Sequence, residues 1–302
     1  MSSAFAQVAA TGPLSLVQDL GRSGAAAMGL SPSGALDRRS LLLANRLLRN
    51  AAGAAGLEIL LGGLRLDITA GAWVAVTGAR GLVLLNGKPC PLNTALFAAA
   101  GSVLEFRVPD AGLRYYLGTA GGLAAPLLSG SASSDLLSGM GPGPLRVHDV
   151  LAKHPARTPA CPGAAGATAA AAGPPTVKDP PHPGRALALR ITDGPRRNLF
   201  TTSAWRTLTG QEWEISPDSN RIGARLLGTA LAQREGAGAQ LPSEGMVTGA
   251  LQVPPSGLPT IFLADHPVTG GYPVIAVVRR SDLDAVGQAG PGQRIRFLAP
   301  PR

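Results

Sequence analysis

Apolar positions along the chain recur with two different periods. Between positions 36 and 48 they fall at Leu36, Leu43 and Leu47 and at Leu41, Ala44 and Leu48, the spacing of one helical face. Asp37 stands at the start of that run, where a carboxylate caps free amides. Arg46 and Arg49 stand at its end, where the helix dipole favours cations. Elsewhere in the first half, short apolar or alternating runs predict strands at 57–61, 64–68, 73–77, 81–85, 103–108 and 113–119. Asn86-Gly87, directly after one such run, predicts a type I′ hairpin. The second half has the same character, with strands expected at 186–191, 211–215, 250–253, 260–263, 274–278 and 294–298. Short helices are expected at 203–208 and 281–288, the latter opening on a capping box of Ser281 and Asp284. Gly101 and Gly292 each stand five residues before a Phe that ends an alternating run, a faint internal echo between the halves.

Between the halves the pattern disappears. Positions 155–176 hold Pro, Ala, Gly and Thr almost exclusively, with Arg157 as the single charge. Few of those side chains can pack, and the prolines deny the segment a helix or a ladder. The organisation read from this is a domain at 1–154, a linker at 155–184 and a domain at 185–302; the alternative is a long insertion within one domain. The predicted class is mostly β with a few short helices.

Composition narrows the function classes. Gly and Pro number 40 and 27 of 302 residues, which favours turns and short elements over a helical bundle. No run of about 18 residues is free of Gly, Pro and charge, as a membrane span would require. The net charge of +9 invites a nucleic-acid reading. The cations resist it: Lys occurs only at Lys88, Lys153 and Lys178, the arginines are scattered, and no aromatic residues interleave with them to stack bases. No nucleic-acid partner and no membrane partner is therefore expected. Cys90 and Cys161 cannot make a disulfide framework, and the first 18 residues lack the basic and apolar regions of a signal peptide. A reducing cytoplasm is the expected compartment.

Standard catalytic machinery is missing. Gly81 to Lys88 has five residues between its glycines and reads as a hairpin instead of a phosphate loop. No GxSxG elbow appears, and His148, His154, His182 and His266 lack metal-site spacing. No metal site is expected in this chain. What remains is four polar, glycine-rich segments: 17–22 with 29–37, 130–136, 219–226, and the set 243–245, 252–255 and 264–273. Each reads singly as a turn or a cap. Together they read as loops that feed polar groups and bare amides into a cleft.

The same segments carry a family resemblance. Val17-Gln18-Asp19-Leu20-Gly21-Arg22, Ser33-Gly34-Ala35-Leu36-Asp37, Ala44-Asn45-Arg46-Leu47, Leu57-Glu58, the stretch 130–136, the stretch 219–228, Ser243-Glu244-Gly245, Gly249-Ala250-Leu251-Gln252-Val253-Pro254 and the stretch 265–273 occur in family order. On them the chain resembles the C subunit of bacterial 5-oxoprolinase, a family also described as biotin-dependent carboxyltransferase, allophanate hydrolase subunit 2-like, or antagonist of a kinase inhibitor. It departs from the family pattern in its longer, Ala/Pro-rich middle.

The resemblance implies two cyclophilin-like β-barrel domains. It also implies a multi-subunit, ATP-dependent enzyme that opens the 5-oxoproline lactam to glutamate, with this chain inactive alone. The implied partners are the enzyme's B subunit, which is kinase-inhibitor-like, and its A subunit. ATP and Mg would be used by the complex, with no site assigned to this chain. Asp37, Asp135, Glu244 and Asp265 become candidates for proton transfer or metal contact, and Arg221 for holding a phosphorylated intermediate. Ser33, Asn45, Ser131, Ser133, Asn220, Gln252, Thr269, Gly270, Gly271 and Tyr272 become candidates for binding the lactam or its carboxylate. Two other readings stay open. One is the carboxyltransferase half of a biotin-dependent urea or amide carboxylase; Met1, Met28, Met140 and Met246 all lack a neighbouring lysine, so the chain carries no biotin attachment motif. The other is a non-enzymatic regulator that binds a kinase-inhibitor-like partner.

Overall fold

The computed structural model describes residues 2–155, 180–181, 184–234 and 241–300. Most of the predicted linker, and Cys161 with it, lies outside the described residues. Two compact units emerge. The first comprises Met1–Arg22, Asp37–Asp135 and Gly139–Pro180; the second comprises Ser23–Leu36, Leu136–Ser138 and Pro181–Arg302. Two short segments from the first half of the sequence thus pack with the second unit. Among the described residues no helix is long and apolar enough to cross a membrane.

The first unit contains β1 (Ser3–Thr11), β2 (Leu14–Gln18), α1 (Arg38–Leu47), β3 (Gly56–Leu60), β4 (Leu64–Ile68), β5 (Ala72–Leu85), β6 (Lys88–Pro89), β7 (Ala95–Ala98), β8 (Val103–Thr119), β9 (Leu123–Ala124) and β10 (Val150–Lys153). They form a nearly closed, ten-stranded sheet in the order β2-β3-β8-β4-β1-β10-β9, with β5 on β8 and with β6 and β7 on β5.

Two expectations are corrected here. The runs at 73–77 and 81–85 belong to the single strand β5, and those at 103–108 and 113–119 to the single strand β8. Gly78, Gly81, Pro109 and Gly112 do not break these strands. The ladder slips at Gly78/Arg80, Arg80/Gly81 and Gly81/Val83 and then resumes, as bulges do. The bulged β8 pairs through its first residues with β4 and through its last with β3. Asn86 and Gly87 both have positive φ (54° and 74°), which a type I′ hairpin requires.

Helix α1 forms where the periodicity placed it. The Asp37 carboxylate accepts from the Ser40 amide at 3.1 Å and from Ser40 Oγ at 2.5 Å. Leu41 and Ala44 are buried beneath the helix. The sheet makes room for them with glycine: a methyl at Gly118 would lie 2.9 Å from Leu48 and 3.3 Å from Ala44, and one at Gly56 would lie 3.0 Å from Leu41. A buried polar chain secures the N-terminus of α1. The Asp37 amide donates to Tyr116 Oη (2.8 Å), which donates to Glu58 (2.7 Å), and Arg114 pairs with Glu58 at 3.3 Å. Burial and the neighbouring Glu58 carboxylate push the Tyr116 phenol well above its ordinary pKa.

The second unit contains β11 (Leu187–Asp193), α2 (Thr202–Gly210), β12 (Trp213–Ile215), β13 (Gly223–Leu227), β14 (Glu244–Gly245), β15 (Ala250–Gln252), β16 (Thr260–Phe262), β17 (Thr269–Gly270), β18 (Val274–Val278), α3 (Arg280–Gly287) and β19 (Arg294–Leu298). Strands β11-β18-β15-β16-β13-β12-β19 form a closed barrel. A parallel pairing of β11 with β19 closes it, and β14 and β17 form a separate two-stranded sheet. Trp213 fills the core and donates its indole N–H to Leu208 O at 3.0 Å, so its polar atom is satisfied.

Helix α3 begins earlier than the expected capping box. Arg279 occupies the N-cap without a side-chain cap. Ser281 lies inside the helix, and Asp282 pairs with Arg190 on β11. Gly101 and Gly292 do play matching parts: both have positive φ (83° and 80°), and Phe106 and Phe297 are both buried.

Candidate functional site

In each unit some of the predicted polar loop residues gather into a buried cluster. In the first unit the cluster joins the end of β2 to the loop at 131–134. Asp19 is its hub. Its Oδ1 accepts from Gly21 N (2.7 Å), Ser131 Oγ (2.7 Å) and Ser133 Oγ (2.6 Å), and its Oδ2 accepts from Ala132 N (2.7 Å). Ser133 Oγ in turn accepts from the Asp19 amide (3.0 Å), and Ser131 Oγ accepts from the Ser133 amide (3.0 Å). Gln18 donates to Ser134 O at 3.0 Å, and Arg22 Nη2 donates to Ser133 O. Ser131 and Ser133 therefore act on Asp19, and their hydroxyl protons are committed to its carboxylate. Asp135 follows on the same loop, buried, with its amide on Met140 O and its carbonyl accepting from Gly139 N.

The second unit brings Arg221 and Asp265 together. Arg221 Nε and Nη2 meet the two Asp265 oxygens at 2.9 and 3.0 Å, with 2% and 0% of the side chains exposed. Arg221 Nη2 also donates to Gly34 O at 2.7 Å, and Asp265 Oδ2 accepts from Leu136 N at 3.1 Å. Ser33, on the same loop as Gly34, adopts φ of 51°, donates its amide to Ala264 O, and keeps its buried Oγ without a protein partner. The pair thus pins the loops at 31–36 and 136–138 to the segment at 264–266. A bidentate, buried pair of this kind is rigid, because either charge alone would be strained by desolvation.

His266 is adjacent, a residue whose sequence spacing gave it no metal role and no other. Its Nδ1 lies 2.8 Å from Pro267 O, which can only accept, so Nδ1 carries the proton. Nε2 then accepts from Thr248 Oγ1 at 3.2 Å. The ring stacks on Phe262 at 5.7 Å, and burial pushes its pKa below the usual value. A neutral imidazole facing a half-buried threonine hydroxyl can hold or pass a proton.

Other predicted residues are placed differently. Asp37 caps α1, as described above. Asn45 braces the turn after α1, donating to Ala52 O and Ala54 O and accepting from Asn50. Asn220 is exposed and closes an Asx turn onto the amides of Ile222 and Gly223. Glu244, on the partly exposed β14, pairs with Arg196, whose hydrogen bonds hold its carboxyl below the ordinary range. Gln252 donates to Tyr272 O (3.4 Å), and a methyl at Gly270 would lie 2.6 Å from Gln252 Nε2. Thr269 and Gly270 pair with Gly245 and Glu244, Gly271 O accepts from Leu241 N, and Tyr272 is exposed. An open pocket of about 600 Å³ in the first unit, lined in part by Arg49, Asn50, Gly121 and His154, contains none of the predicted site residues.

Asp19, Gln18 and Arg22 are cluster residues that received no role from sequence. Their signal was the VQDLGR string itself, which places one carboxylate, one amide and one guanidinium beside a glycine.

These features define a mostly β protein with one closed and one nearly closed barrel, in which buried charged groups hold loops in place. The chain belongs to the family described as carboxyltransferase domain, subdomains A and B, whose model matches residues 28–299. It is 34% identical to the C subunit of the Escherichia coli 5-oxoprolinase, over 95% of this chain and 88% of that protein. The solved structure of TTHA0988 superposes with a TM-score of 0.84 at 35% identity, over 98% of this chain and 55% of that one. The Kluyveromyces lactis urea carboxylase superposes with a TM-score of 0.87 at 28% identity, over 99% of this chain but 28% of that protein. The chain thus spans about half of the first of these solved structures and about a quarter of the second.

Proposed function

We propose that this chain is the C subunit of an ATP-dependent 5-oxoprolinase and acts with the enzyme's kinase-inhibitor-like B subunit and its A subunit. One observation carries the reading: the 5-oxoprolinase C-subunit relative aligns across 88% of its own length, whereas urea amidolyase relatives align over 16–17% of theirs. A relative of matching extent supports a shared role in a complex more directly than a segment of a much longer enzyme does.

In this reading, the lactam oxygen takes the γ-phosphoryl of ATP and ADP leaves; water then adds to the activated ring carbon, the ring C–N bond breaks to give the amine, and phosphate departs. Among the described residues no three His, Cys, Asp or Glu side chains are placed to hold a metal ion. Its own residues hold loops and position groups. Arg221 and Asp265 neutralise each other, which suits them to holding loops in place more than to proton abstraction. His266 and Thr248 are the pair arranged to move a proton. The Ser131–Asp19–Ser133 cluster fixes the backbone amides of Gly21, Ala132 and Ser133.

A second reading is the carboxyltransferase part of a biotin-dependent carboxylase, favoured by the fit to the urea carboxylase structure; it requires biotin on a separate carrier protein. Adding this chain back to its partner proteins separates the two. The first reading predicts ATP turnover that depends on 5-oxoproline; the second predicts carboxylation through an added biotin carrier instead.

A further inference from the structure

Two arginines, Arg22 and Arg221, are each 2% exposed, and they are compensated in opposite ways. Arg221 has a carboxylate in bidentate contact. Arg22 has one hydrogen bond, from Nη2 to Ser133 O, and no protein acceptor reaches its Nε or Nη1. Asp19, three residues away, is occupied by two serine hydroxyls and two backbone amides. The buried Gln18 Oε1 also lacks a protein donor, and Gln18 and Arg22 are anchored to the consecutive carbonyls of Ser134 and Ser133. A buried guanidinium without an anion is costly, and buried charges are ordinarily paired. The backbone is bare beside it. Gly141 has φ of 79°, and a methyl there would lie 2.8 Å from Arg22 Nη2 and collide with Ser133 O. A methyl at the neighbouring Gly139 or Gly143 would meet nothing within 4 Å.

We propose that Arg22, with the backbone at 131–134 and 139–141, binds the carboxylate of a small molecule. The planar guanidinium fork matches a carboxylate in two parallel hydrogen bonds, and Gln18 Oε1 accepts an N–H from the same ligand. A molecule bearing both a carboxylate and an amide N–H fits this set. Naming it as 5-oxoproline rests on the 5-oxoprolinase reading; the carboxylate affinity of Arg22 does not.

The test uses the full chain in calorimetric titrations with 5-oxoproline, L-glutamate, 2-pyrrolidinone (the same lactam without the carboxylate) and inorganic phosphate. The wild-type chain binds one or both carboxylates and not 2-pyrrolidinone. Arg22→Met loses that affinity at least tenfold, while its melting temperature without ligand is unchanged or higher, because an uncompensated charge has been removed. Carboxylates raise the melting temperature of the wild type and not of the variant. If Arg22→Met does not fold, Arg22→Lys decides: it keeps the charge without the fork, and a tenfold weaker affinity upholds the proposal. No carboxylate binding by the wild type, binding unchanged in the variants, or binding of phosphate alone would each overturn it. Binding of L-glutamate but not 5-oxoproline, lost in Arg22→Met, would uphold the site and count against the 5-oxoproline assignment.

Discussion

Replacing Asp265 by Asn probes how the second unit holds its loops. Asp265 is fully buried and accepts from Arg221 Nε, Arg221 Nη2 and the Leu136 amide. An Asn carbonyl oxygen in the Oδ2 place can keep the Arg221 Nε and Leu136 donors, but its amide group would then face Arg221 Nη2 donor to donor. Arg221 would then be a buried charge without an anion. Breaking a buried pair from one side costs about 3–5 kcal/mol, against total stabilities of roughly 5–15 kcal/mol. At ~2–4 °C per kcal/mol for a unit of this size, melting should fall by roughly 6–20 °C. The double variant Arg221→Met/Asp265→Leu removes both charges and should recover most of the loss. Circular dichroism during thermal and urea unfolding reads both effects. A loss below about 1 kcal/mol in Asp265→Asn, or a double variant no more stable than the single one, would refute the reasoning.

Two further outcomes follow from the geometry. Gly118→Val places a branched side chain where even a methyl would lie 2.9 Å from Leu48, and α1 should be pushed off the sheet at a cost of about 1–3 kcal/mol in urea unfolding. His266 has its pKa lowered by burial from the usual 6.5. Between the folded and unfolded values the unfolded chain binds more protons, so stability is full above pH 6.5 and falls as pH drops through that window. His266→Gln should flatten this slope in melts taken between about pH 5 and 7.5, and an unchanged slope would contradict the assignment.

Helix α1 and six of the seven strands of the second barrel were legible because apolar spacing decides them; β13 was not, because Gly223–Leu227 overlaps the polar, glycine-bearing segment read as a loop at 219–226. Strand β1 was not. Register shifts between Ala4 and Ala6 and between Val8 and Ala10 break its alternation, leaving Phe5 and Ala6 buried side by side. Strands β5 and β8 appeared as fragments because Gly and Pro punctuate them, and a bulge and a turn look alike in one dimension. The polar loops were visible as compositional anomalies, but their pairings were not. Arg221 and Asp265 are 44 residues apart, and Asp19 meets the serines at 131 and 133 from more than a hundred residues away. Asn45 and Asn220 show the converse: polar residues inside strongly matching motifs that serve the local backbone.

Whether the chain completes a 5-oxoprolinase is tested most directly by ATP hydrolysis. The purified partner proteins would be assayed with and without this chain, and with and without 5-oxoproline. The expected result is ADP release that needs both the chain and 5-oxoproline and is matched by glutamate formation. ATP turnover indifferent to 5-oxoproline, with carboxylation of an added biotin carrier, would contradict it.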